Sequence, residues 1–281
     1  MNNILKQVKL ILKTYNLTPT RSKGQNFLIS NEIIEKIIKV SEIKKDDVVL
    51  EVGSGLGILT EELIKNCNKV ISVELDRKIF DFLKLKFVSN NNLTLINKDI
   101  LRFKPEENKL LSQKYKIIAN LPYNITSYFL RRFLTLDNSP SEMTLLLQKE
   151  VAERICAKKG EMSLLAVSVQ VYGNPKIIEI VKRENFYPQP EVDSAILKIG
   201  NIKNKKQIKQ FLEIKEDKFW RIVKIGFSAK RKQLQNNLAA GLKISSDEAK
   251  NVLKKANFNP KIRAQELSIK DWIKLAKYFN L

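Results

Sequence analysis

The chain contains 281 residues, and its 51 Lys and Arg against 30 Asp and Glu give a formal net charge of +21. Because it has no His and only two cysteines, Cys67 and Cys156, Cys/His zinc sites and mechanisms that need an imidazole base are excluded. Residues 201–281 carry 20 basic and 7 acidic residues, so we expect a nucleic-acid partner rather than a membrane, and a reducing compartment.

The first predicted elements follow a segment without acidic residues. Residues 1–29 contain several lysines, and we interpret them as a basic arm for RNA rather than an organelle transit segment, which is typically richer in Arg than Lys. Asn31 to Val40 has helical spacing. The apolar run Val48–Val52 predicts a strand covered on both faces. A glycine loop, Gly53-Ser54-Gly55-Leu56-Gly57, links it to a helix predicted over Ile58 to Lys65.

Strands and helices then continue to alternate. A helix is predicted over Arg77 to Phe87, and the further strands are Lys69–Glu74, Leu93–Asn97, Tyr115–Ala119 and Met143–Leu147. This alternation predicts a parallel, doubly wound α/β sheet. Two later β-like runs, Lys176–Val181 and Ser194–Ile199, are expected to complete it as an antiparallel edge pair.

The composition and the periodicity of the sequence change after Gly200. Asn201 to Lys206 is polar and basic, as expected for a linker, and only helical spacing follows. The sequence therefore predicts two domains, an α/β domain over residues 1–200 and a small, basic, all-helical domain over residues 201–281.

Polar groups or glycines follow four of the predicted strands. A glycine loop between strand and helix lets a ligand meet backbone amides. Glu74 ends the next strand, where it can hold ribose hydroxyls, Asp99 follows the third strand, and Asn120 follows the fourth. The G-x-G-x-G spacing is neither the dinucleotide fingerprint nor a phosphate loop. A nucleoside-containing cofactor is predicted, with a tight turn and a helix cap as structural alternatives for the loop and for Asp99.

The fourth strand runs into Asn120-Leu121-Pro122-Tyr123. Pro122 fixes φ and removes a backbone donor, so the loop is expected to be stiff. The side-chain oxygen of Asn120 and the carbonyl of Leu121 can accept both hydrogens of an exocyclic amine. Stacking on Tyr123 would add about 1–3 kcal/mol per base. These features favour a nucleobase substrate, and a plain strand exit is the alternative.

Seven segments together resemble the small-subunit rRNA adenine N6,N6-dimethyltransferase family. They are Gly24–Leu28, Glu51–Gly57, Glu74–Asp76, Asn120–Asn124, Gln148–Val151, Phe186–Ala195 and Arg263–Ser268. The resemblance extends from about Gly24 to the C-terminus, and its specificity lies in the combination and order of the segments.

The resemblance implies a Rossmann-like, S-adenosylmethionine-dependent methyltransferase domain followed by a helical domain. The implied reaction is dimethylation of two adjacent adenosines near the 3′ end of small-subunit rRNA. The implied setting is a cytoplasmic monomer acting on a pre-30S particle without metal or membrane, although an organelle is not excluded. The catalytic loop comprises Asn120, Leu121, Pro122 and Tyr123. The cofactor-binding residues are expected to be Gln25, Asn26, Leu28, Gly53, Gly55, Glu74, Leu75, Asp99, Ile100 and Asn120.

The RNA contacts are expected in two places. Tyr123 and Phe186 would sandwich an unstacked adenine, with Phe186-Tyr187-Pro188-Gln189-Pro190 as the far wall of the pocket or, alternatively, as a rigid connection. Cationic side chains in the C-terminal domain would bind phosphates, or form a solvated helix face. They are Arg221, Lys224, Lys230, Arg231 and Lys232.

Three residues depart from the family pattern. Ser54 stands where Pro is usual, Lys23 replaces an apolar or aromatic residue, and Lys230 stands where Arg is common. Two rival functions remain, namely a resistance-type large-subunit rRNA adenine methyltransferase and a non-catalytic nucleic-acid-binding factor on the same scaffold. The glycine spacing and the missing His argue against a third alternative, a nicotinamide-dependent dehydrogenase.

Overall fold

The computed structural model describes residues 3–20 and 24–279, so Lys23 lies outside the described residues. Contacts divide the chain into two compact units. The first unit holds the chain up to Ala152 together with Gly173–Ile202, and the second holds Glu153–Tyr172 and the chain from Lys203 on. This division differs from the predicted boundary in two segments, because Asn201 and Ile202 belong to the first unit and residues 153–172 belong to the second. Residues 153–172 group with the C-terminal helices, since the backbone N–H groups of Gly160 and Met162 donate to the carbonyl of Gln265.

Within the described residues, the first unit contains one seven-stranded sheet and a separate pair of short strands. The strands are β1 (Phe27–Leu28), β2 (Val48–Val52), β3 (Lys69–Glu74), β4 (Leu93–Asn97), β5 (Lys116–Asn120), β6 (Glu142–Gln148), β7 (Asn174–Val181), β8 (Phe186–Tyr187) and β9 (Ser194–Gly200). The large sheet has the order β4-β3-β2-β5-β6-β9-β7. Strands β2 to β6 pair in parallel and β9 runs antiparallel to both β6 and β7. The predicted Rossmann-like sheet with an antiparallel edge pair is therefore confirmed.

The α-helices follow the predicted alternation in the first unit and dominate the second. They are α1 (Asn3–Thr14), α2 (Asn31–Val40), α3 (Ile58–Asn66), α4 (Arg77–Lys86), α5 (Thr126–Thr135), α6 (Lys149–Ile155), α7 (Leu164–Gln170), α8 (Lys205–Leu212), α9 (Glu216–Gly226), α10 (Leu234–Leu242), α11 (Ser246–Lys255) and α12 (Ile269–Lys277). The side chains of Phe219 in α9 and Trp272 in α12 are fully buried in the second unit. The predicted small helical domain is confirmed in its fold class.

The N-terminal segment is not a free basic arm. Ile4, Val8 and Leu12 recur every four residues along α1, so they share one face of the helix, and all three are buried in the hydrophobic core of the first unit. The lysines of α1 are exposed to solvent. The predicted arm is therefore wrong for α1, because the apolar residues at every fourth position are typical of an amphipathic helix whose exposed face carries the lysines.

The segment after α1 reaches the region where the strands end. β1 pairs with β8 in an antiparallel arrangement, with Phe27 opposite Tyr187. Gly24 has a φ of +65°, and a Cβ there would lie 3.2 Å from Cβ of Pro122. A side chain at this position would therefore strain the backbone and crowd the loop that follows β5. Glycine lets the N-terminal segment lie directly against the Asn120–Tyr123 loop.

Candidate active site

A cleft opens at the carboxyl ends of β2, β3 and β5, which is where open α/β sheets bind ligands. The structure brings nine of the ten predicted cofactor residues together along its walls. They are Gln25, Asn26, Gly53, Gly55, Glu74, Leu75, Asp99, Ile100 and Asn120. Phe27 is the only aromatic residue among the described residues that line the cleft, and apolar side chains such as Ile79 and Ile100 give the cleft a surface suited to a nucleobase.

Leu28 is the predicted cofactor residue that does not line the cleft. Its side chain is buried, and it pairs with Phe186 through β1 and β8. Phe27, one position earlier, lines the cleft instead. Successive residues of a strand point to opposite faces, so the side chains of Phe27 and Leu28 cannot both face the cleft.

Glu74 is held in place by two backbone donors. Its carboxylate oxygens accept the N–H of Gly55 at 3.1 Å and the N–H of Asp76 at 2.8 Å. Burial raises the pKa of Glu74 above its usual range, while these two hydrogen bonds favour the charged form. The carboxylate thus bridges the glycine loop and the end of β3, and its remaining lone pairs suit a ligand with neighbouring hydroxyl groups.

Asp99 follows β4 on the same wall of the cleft. One carboxylate oxygen accepts the backbone N–H of Leu101 at 2.9 Å and caps the short 3₁₀ turn at Ile100–Arg102. The capping role that the sequence offered as an alternative is therefore present. A carboxylate has two oxygens with about four acceptor positions, so the cap leaves acceptor capacity for an amine in the cleft.

Asn120 ends β5 with its amide orientation set by the N-terminal segment. Its Nδ2 donates to the backbone carbonyl of Asn26 at 3.0 Å. This bond assigns the nitrogen to that side and leaves Oδ1 as the acceptor available to a ligand. The backbone N–H of Leu121 donates to the carbonyl of Leu146 at 3.0 Å. The chain therefore stays hydrogen-bonded to β6 for one residue beyond the end of β5.

Tyr123 is anchored at its hydroxyl end. The phenol oxygen and the hydroxyl of Ser194, the first residue of β9, lie 2.8 Å apart. Burial raises the pKa of Tyr123 above its usual range, and its side chain is only partly exposed. The tether fixes one edge of the ring. Sequence reasoning placed Ser194 in a family segment but assigned it no role.

Phe186 does not stand beside Tyr123 as an open stacking surface. Only 2% of Phe186 is exposed, and it belongs to the same core cluster as Phe27 and Leu28. The ring therefore has no face available to a base in this structure. The sequence could not reveal this, because a buried aromatic residue and a stacking one look alike in a Pro-rich segment. A stacking role for Phe186 would require it to leave the core.

A series of hydrogen-bonded side chains is buried beneath the glycine loop, and the sequence analysis did not predict it. Oε2 of Glu51, in β2, accepts the hydroxyl of Thr60 at 2.8 Å and that of Ser72 at 2.5 Å. The Ser72 hydroxyl also contacts that of Ser54 in the loop. Ser54 occupies the position where the family usually has Pro, and this departure was the sequence feature that could have indicated these hydrogen bonds. Its hydroxyl connects the loop to the core carboxyl.

The protonation of Glu51 is expected to make stability depend on pH. Desolvation raises the pKa of Glu51 from 4.5 to about 7, against the hydrogen bonds from Ser72 and Thr60, with Glu74 raising it further and Lys86 lowering it. The folded chain then binds more protons than the unfolded chain between these values, so stability falls as pH rises through this window, by up to about 3 kcal/mol.

Glu51→Gln removes this titration but keeps the shape of the protonated acid. Its stability relative to wild type is expected to rise by up to about 3 kcal/mol between pH 4.5 and 7. Urea unfolding at several pH values in that range measures the difference. Thr60→Ser, which keeps the donor, serves as the control and should show no such trend. A pH-independent difference for Glu51→Gln would contradict the assignment.

The predicted phosphate-binding residues lie in the second unit. Arg221 and Lys224 are exposed on α9, one turn apart, and Lys230-Arg231-Lys232 are exposed in the turn before α10. No ion pair links any of the five to an acidic residue in the part of the chain that the structure describes.

The residues that the structure describes contain no group of three or more acidic or cysteine side chains that could hold a metal ion. In the same described ranges, no helix combines the length and hydropathy needed to cross a bilayer.

Fold and cleft together define a Rossmann-like methyltransferase. The family model for ribosomal RNA adenine dimethylase matches residues 17–281. The ribosomal RNA small subunit methyltransferase A of Dehalococcoides mccartyi is 43% identical over 273 residues, covering 97% of this chain and 92% of that protein. The protein of the same name from Clostridium botulinum is 37% identical over 273 residues, covering 95% and 96%. The chain belongs to the ribosomal RNA adenine dimethylase family.

Two solved structures share the fold over most of the chain. A dimethyladenosine transferase from Plasmodium falciparum has a TM-score of 0.74 and 26% identity, covering 89% of this chain and 95% of that one. The 23S rRNA methyltransferase ErmE has a TM-score of 0.71 and 24% identity, covering 91% of this chain and all of that one. The similarity to ErmE concerns the fold alone. The chain is an enzyme of a family that uses S-adenosylmethionine as methyl donor.

Proposed function

We propose that this enzyme transfers methyl groups from S-adenosylmethionine to N6 of two adjacent adenosines near the 3′ end of small-subunit rRNA. The observation that carries the proposal is the hydrogen bond from Asn120 to the carbonyl of Asn26. It leaves the side-chain oxygen of Asn120 as an acceptor next to the cleft that Glu74 and Asp99 line. A catalytic acceptor and a nucleoside site are thereby neighbours.

The residues of the cleft fit the methyl donor. The Glu74 carboxylate, fixed by Gly55 and Asp76, suits the ribose hydroxyls, and Asp99 suits the adenine amine. Ile79 and Ile100 provide an apolar surface for the ring. When bound, S-adenosylmethionine supplies an electrophilic methyl group on a sulfonium ion. Leu75, which is largely exposed at the rim, would cover the ligand from the solvent side.

The catalytic loop acts by orienting the amine rather than by acid–base chemistry. Adenine N6 is a poor nucleophile because its lone pair is delocalised into the ring. If Asn120 Oδ1 and the carbonyl of Leu121 accept its two hydrogens, the nitrogen becomes pyramidal and directs its lone pair into the cleft. Alignment of this kind can supply most of the acceleration. The proton leaves to solvent afterwards, so the absence of His is compatible with the reaction.

The target base must leave its stack to reach this loop. Tyr123, tethered to Ser194, is the proposed stacking surface. Pro122 packs against Gly24 and keeps the loop from moving away from the base. The substrate is proposed to be a small-subunit precursor particle, bound by a monomer in the cytoplasm without a metal ion.

Comparing the two ribosomal subunits as methyl acceptors tests the proposal. Purified small and large subunits that lack adenine methylation are incubated with the enzyme and isotopically labelled S-adenosylmethionine. Label in dimethyladenosine of small-subunit rRNA, identified by mass spectrometry, is the expected result. Label in large-subunit rRNA would indicate the resistance-type reaction, and no transfer to either would favour a non-catalytic factor.

Charge removal in the second unit should weaken RNA binding. Replacing Lys230, Arg231 and Lys232 with Ala is expected to lower the affinity for rRNA about 10- to 100-fold near physiological salt. It should also reduce the slope of log K against log salt by about 2, since three exposed cations would no longer release counterions. Fluorescence anisotropy over a salt series measures both.

A matched variant separates location from total charge. Lys254, Lys255 and Lys261 are exposed in the same unit, and their replacement with Ala removes the same charge. Equal effects of the two triple variants would show that only net charge matters and would contradict a local phosphate site.

A further inference from the structure

The outer face of α5 carries a combination of side chains that the site described above does not use. α5 begins at Thr126, separated by two residues from the end of the catalytic loop, and Thr126, Phe129, Leu130, Phe133 and Leu134 form its buried face. Its outer face is exposed and comprises Ser127, Tyr128, Arg131 and Thr135. We refer to these four residues as the α5 outer face.

Tyr128 is the most exposed tyrosine among the described residues, at 70% relative accessibility. Its ring has no aromatic or cationic neighbour at contact distance in the part of the chain that the structure describes. A large side chain left in water stabilises the fold little, so the fold gives no reason for an aromatic residue here. An available π-face is what single-stranded nucleic acids use for stacking.

Arginine side chains are present on α5 and on the turn packed against it, although none of them contacts the ring of Tyr128 in the described residues. Arg131 is three residues further along α5, so it is a neighbour of Tyr128 on the helix surface. The short 3₁₀ turn at Ile100–Arg102 lies against α5, as shown by the bond from Arg132 Nη2 to the carbonyl of Phe103 at 2.7 Å, and it carries the exposed Arg102. α5 contains no Asp or Glu. The face therefore pairs an aromatic surface with positive charge and has no acidic residue of its own.

The position of the face relative to the catalytic loop suggests its occupant. The first helical hydrogen bond, from Phe129 N–H to the carbonyl of Ile125, places Tyr128 in the first turn of α5. Its Cα is only about 3 Å further along the helix axis than that of Thr126. RNA whose base occupies the catalytic loop must continue over the neighbouring surface. A basic face with an exposed ring complements such a strand in charge and in shape.

We propose that the α5 outer face is a second nucleotide-binding subsite for single-stranded RNA. In this subsite the base next to the target adenosine stacks on Tyr128, and Arg131, assisted by Arg102, binds the adjoining phosphate. The proposal rests on the proposed function, because it takes the catalytic loop as the place where the target base is held. It assigns Tyr128 a role in positioning the strand and none in the methyl-transfer step.

RNA binding tests the subsite without depending on catalysis. Wild type, Tyr128→Ala and Tyr128→Phe are compared for their affinity toward a short, adenine-rich, single-stranded oligoribonucleotide by fluorescence anisotropy. Loss of the stacking surface is expected to weaken binding about 5- to 100-fold in Tyr128→Ala. Tyr128→Phe keeps the ring and should bind within about twofold of wild type. Tyr278→Ala, which removes a partly exposed tyrosine in the second unit, is the matched control.

A second measurement tests the role of Arg131. Arg131→Ala should reduce the slope of log K against log salt by about 1, as expected for the loss of one phosphate contact, whereas Tyr128→Ala should leave the slope unchanged. With small subunits as substrate, both variants should raise KM and leave kcat near wild type.

Three outcomes would overturn the proposal. They are wild-type RNA affinity in Tyr128→Ala, an equal loss in Tyr128→Phe and Tyr128→Ala, and a lowered kcat with unchanged KM. Because Tyr128 is exposed, the variants are expected to fold, which circular dichroism verifies. If the wild type fails to methylate small subunits, the proposed function falls, while the oligoribonucleotide affinities still decide whether Tyr128 binds RNA.

Discussion

Replacing Asn120 with alanine is expected to lower the rate of methyl transfer to rRNA about 10³-fold. The substitution removes the acceptor for one hydrogen of the adenine amine, so the nitrogen loses the interaction that directs its lone pair. It also removes the donor to the carbonyl of Asn26, so that one hydrogen bond between the N-terminal segment and the end of β5 is lost. Single-turnover transfer of labelled methyl groups to small subunits, at saturating S-adenosylmethionine, isolates this step from binding.

Two further variants sharpen this test. Asn120→Asp keeps an acceptor toward the adenine amine but loses the donor, so its carboxylate faces the carbonyl of Asn26. We expect it to retain more activity than Asn120→Ala if the acceptor is the more important function. Asn91→Ala, at an exposed position before β4, is the control and should behave as wild type. Activity of Asn120→Ala within tenfold of wild type would contradict the assignment of Asn120 as the catalytic acceptor.

The fold could be predicted from sequence because the signals were local and repeated. β2 to β6 are short apolar runs separated by helical periods, and this pattern has one common solution, a parallel sheet with helices on both faces. The prediction that Glu74 and Asn120 lie together followed from the fold, because the ends of successive parallel strands converge at one edge of such a sheet. Both residues line the cleft, and their roles there are still a prediction.

The remaining features depend on tertiary partners that no local pattern encodes. The burial of Phe186 depends on its pairing with Leu28, far away in sequence. The grouping of residues 153–172 with the second unit depends on backbone contacts to Gln265. The hydroxyl chain from Ser54 to Glu51 joins two strands and a loop. In each case the sequence showed a residue type, and only its partner determined its role.

Glu74 differs from these residues because one side chain has a structural role and a proposed ligand-binding role, and variants can separate the two. Glu74→Ala is expected to weaken binding of S-adenosylmethionine more than about 10³-fold, since it removes the acceptor for the ribose hydroxyls and leaves the N–H groups of Gly55 and Asp76 without their partner. Glu74→Gln keeps one acceptor oxygen and should lose about 10- to 100-fold, the range for one hydrogen bond to a charged group. Isothermal titration calorimetry measures both.

The methylated and demethylated forms of the ligand distinguish a ribose contact from a charge effect. If Glu74 binds the ribose, Glu74→Gln should weaken S-adenosylmethionine and S-adenosylhomocysteine by the same factor, because the two share that sugar and differ at the sulfur. A loss confined to the sulfonium form would mean that Glu74 acts by attracting positive charge. Glu62→Gln, which changes a surface carboxylate paired with Lys65, is the control and should leave both affinities unchanged.

The pH dependence of binding gives an independent measure of the same contact. Burial raises the pKa of Glu74, and hydroxyl donors from a ligand favour the carboxylate over the protonated acid. Binding should therefore release a proton in the range where Glu74 titrates, and the affinity of wild type should fall as pH decreases through that range. Glu74→Gln has no such group, so the part of the pH dependence that belongs to Glu74 should disappear while any contribution from Glu51 remains. An identical pH profile in both proteins would exclude Glu74 as the ribose ligand.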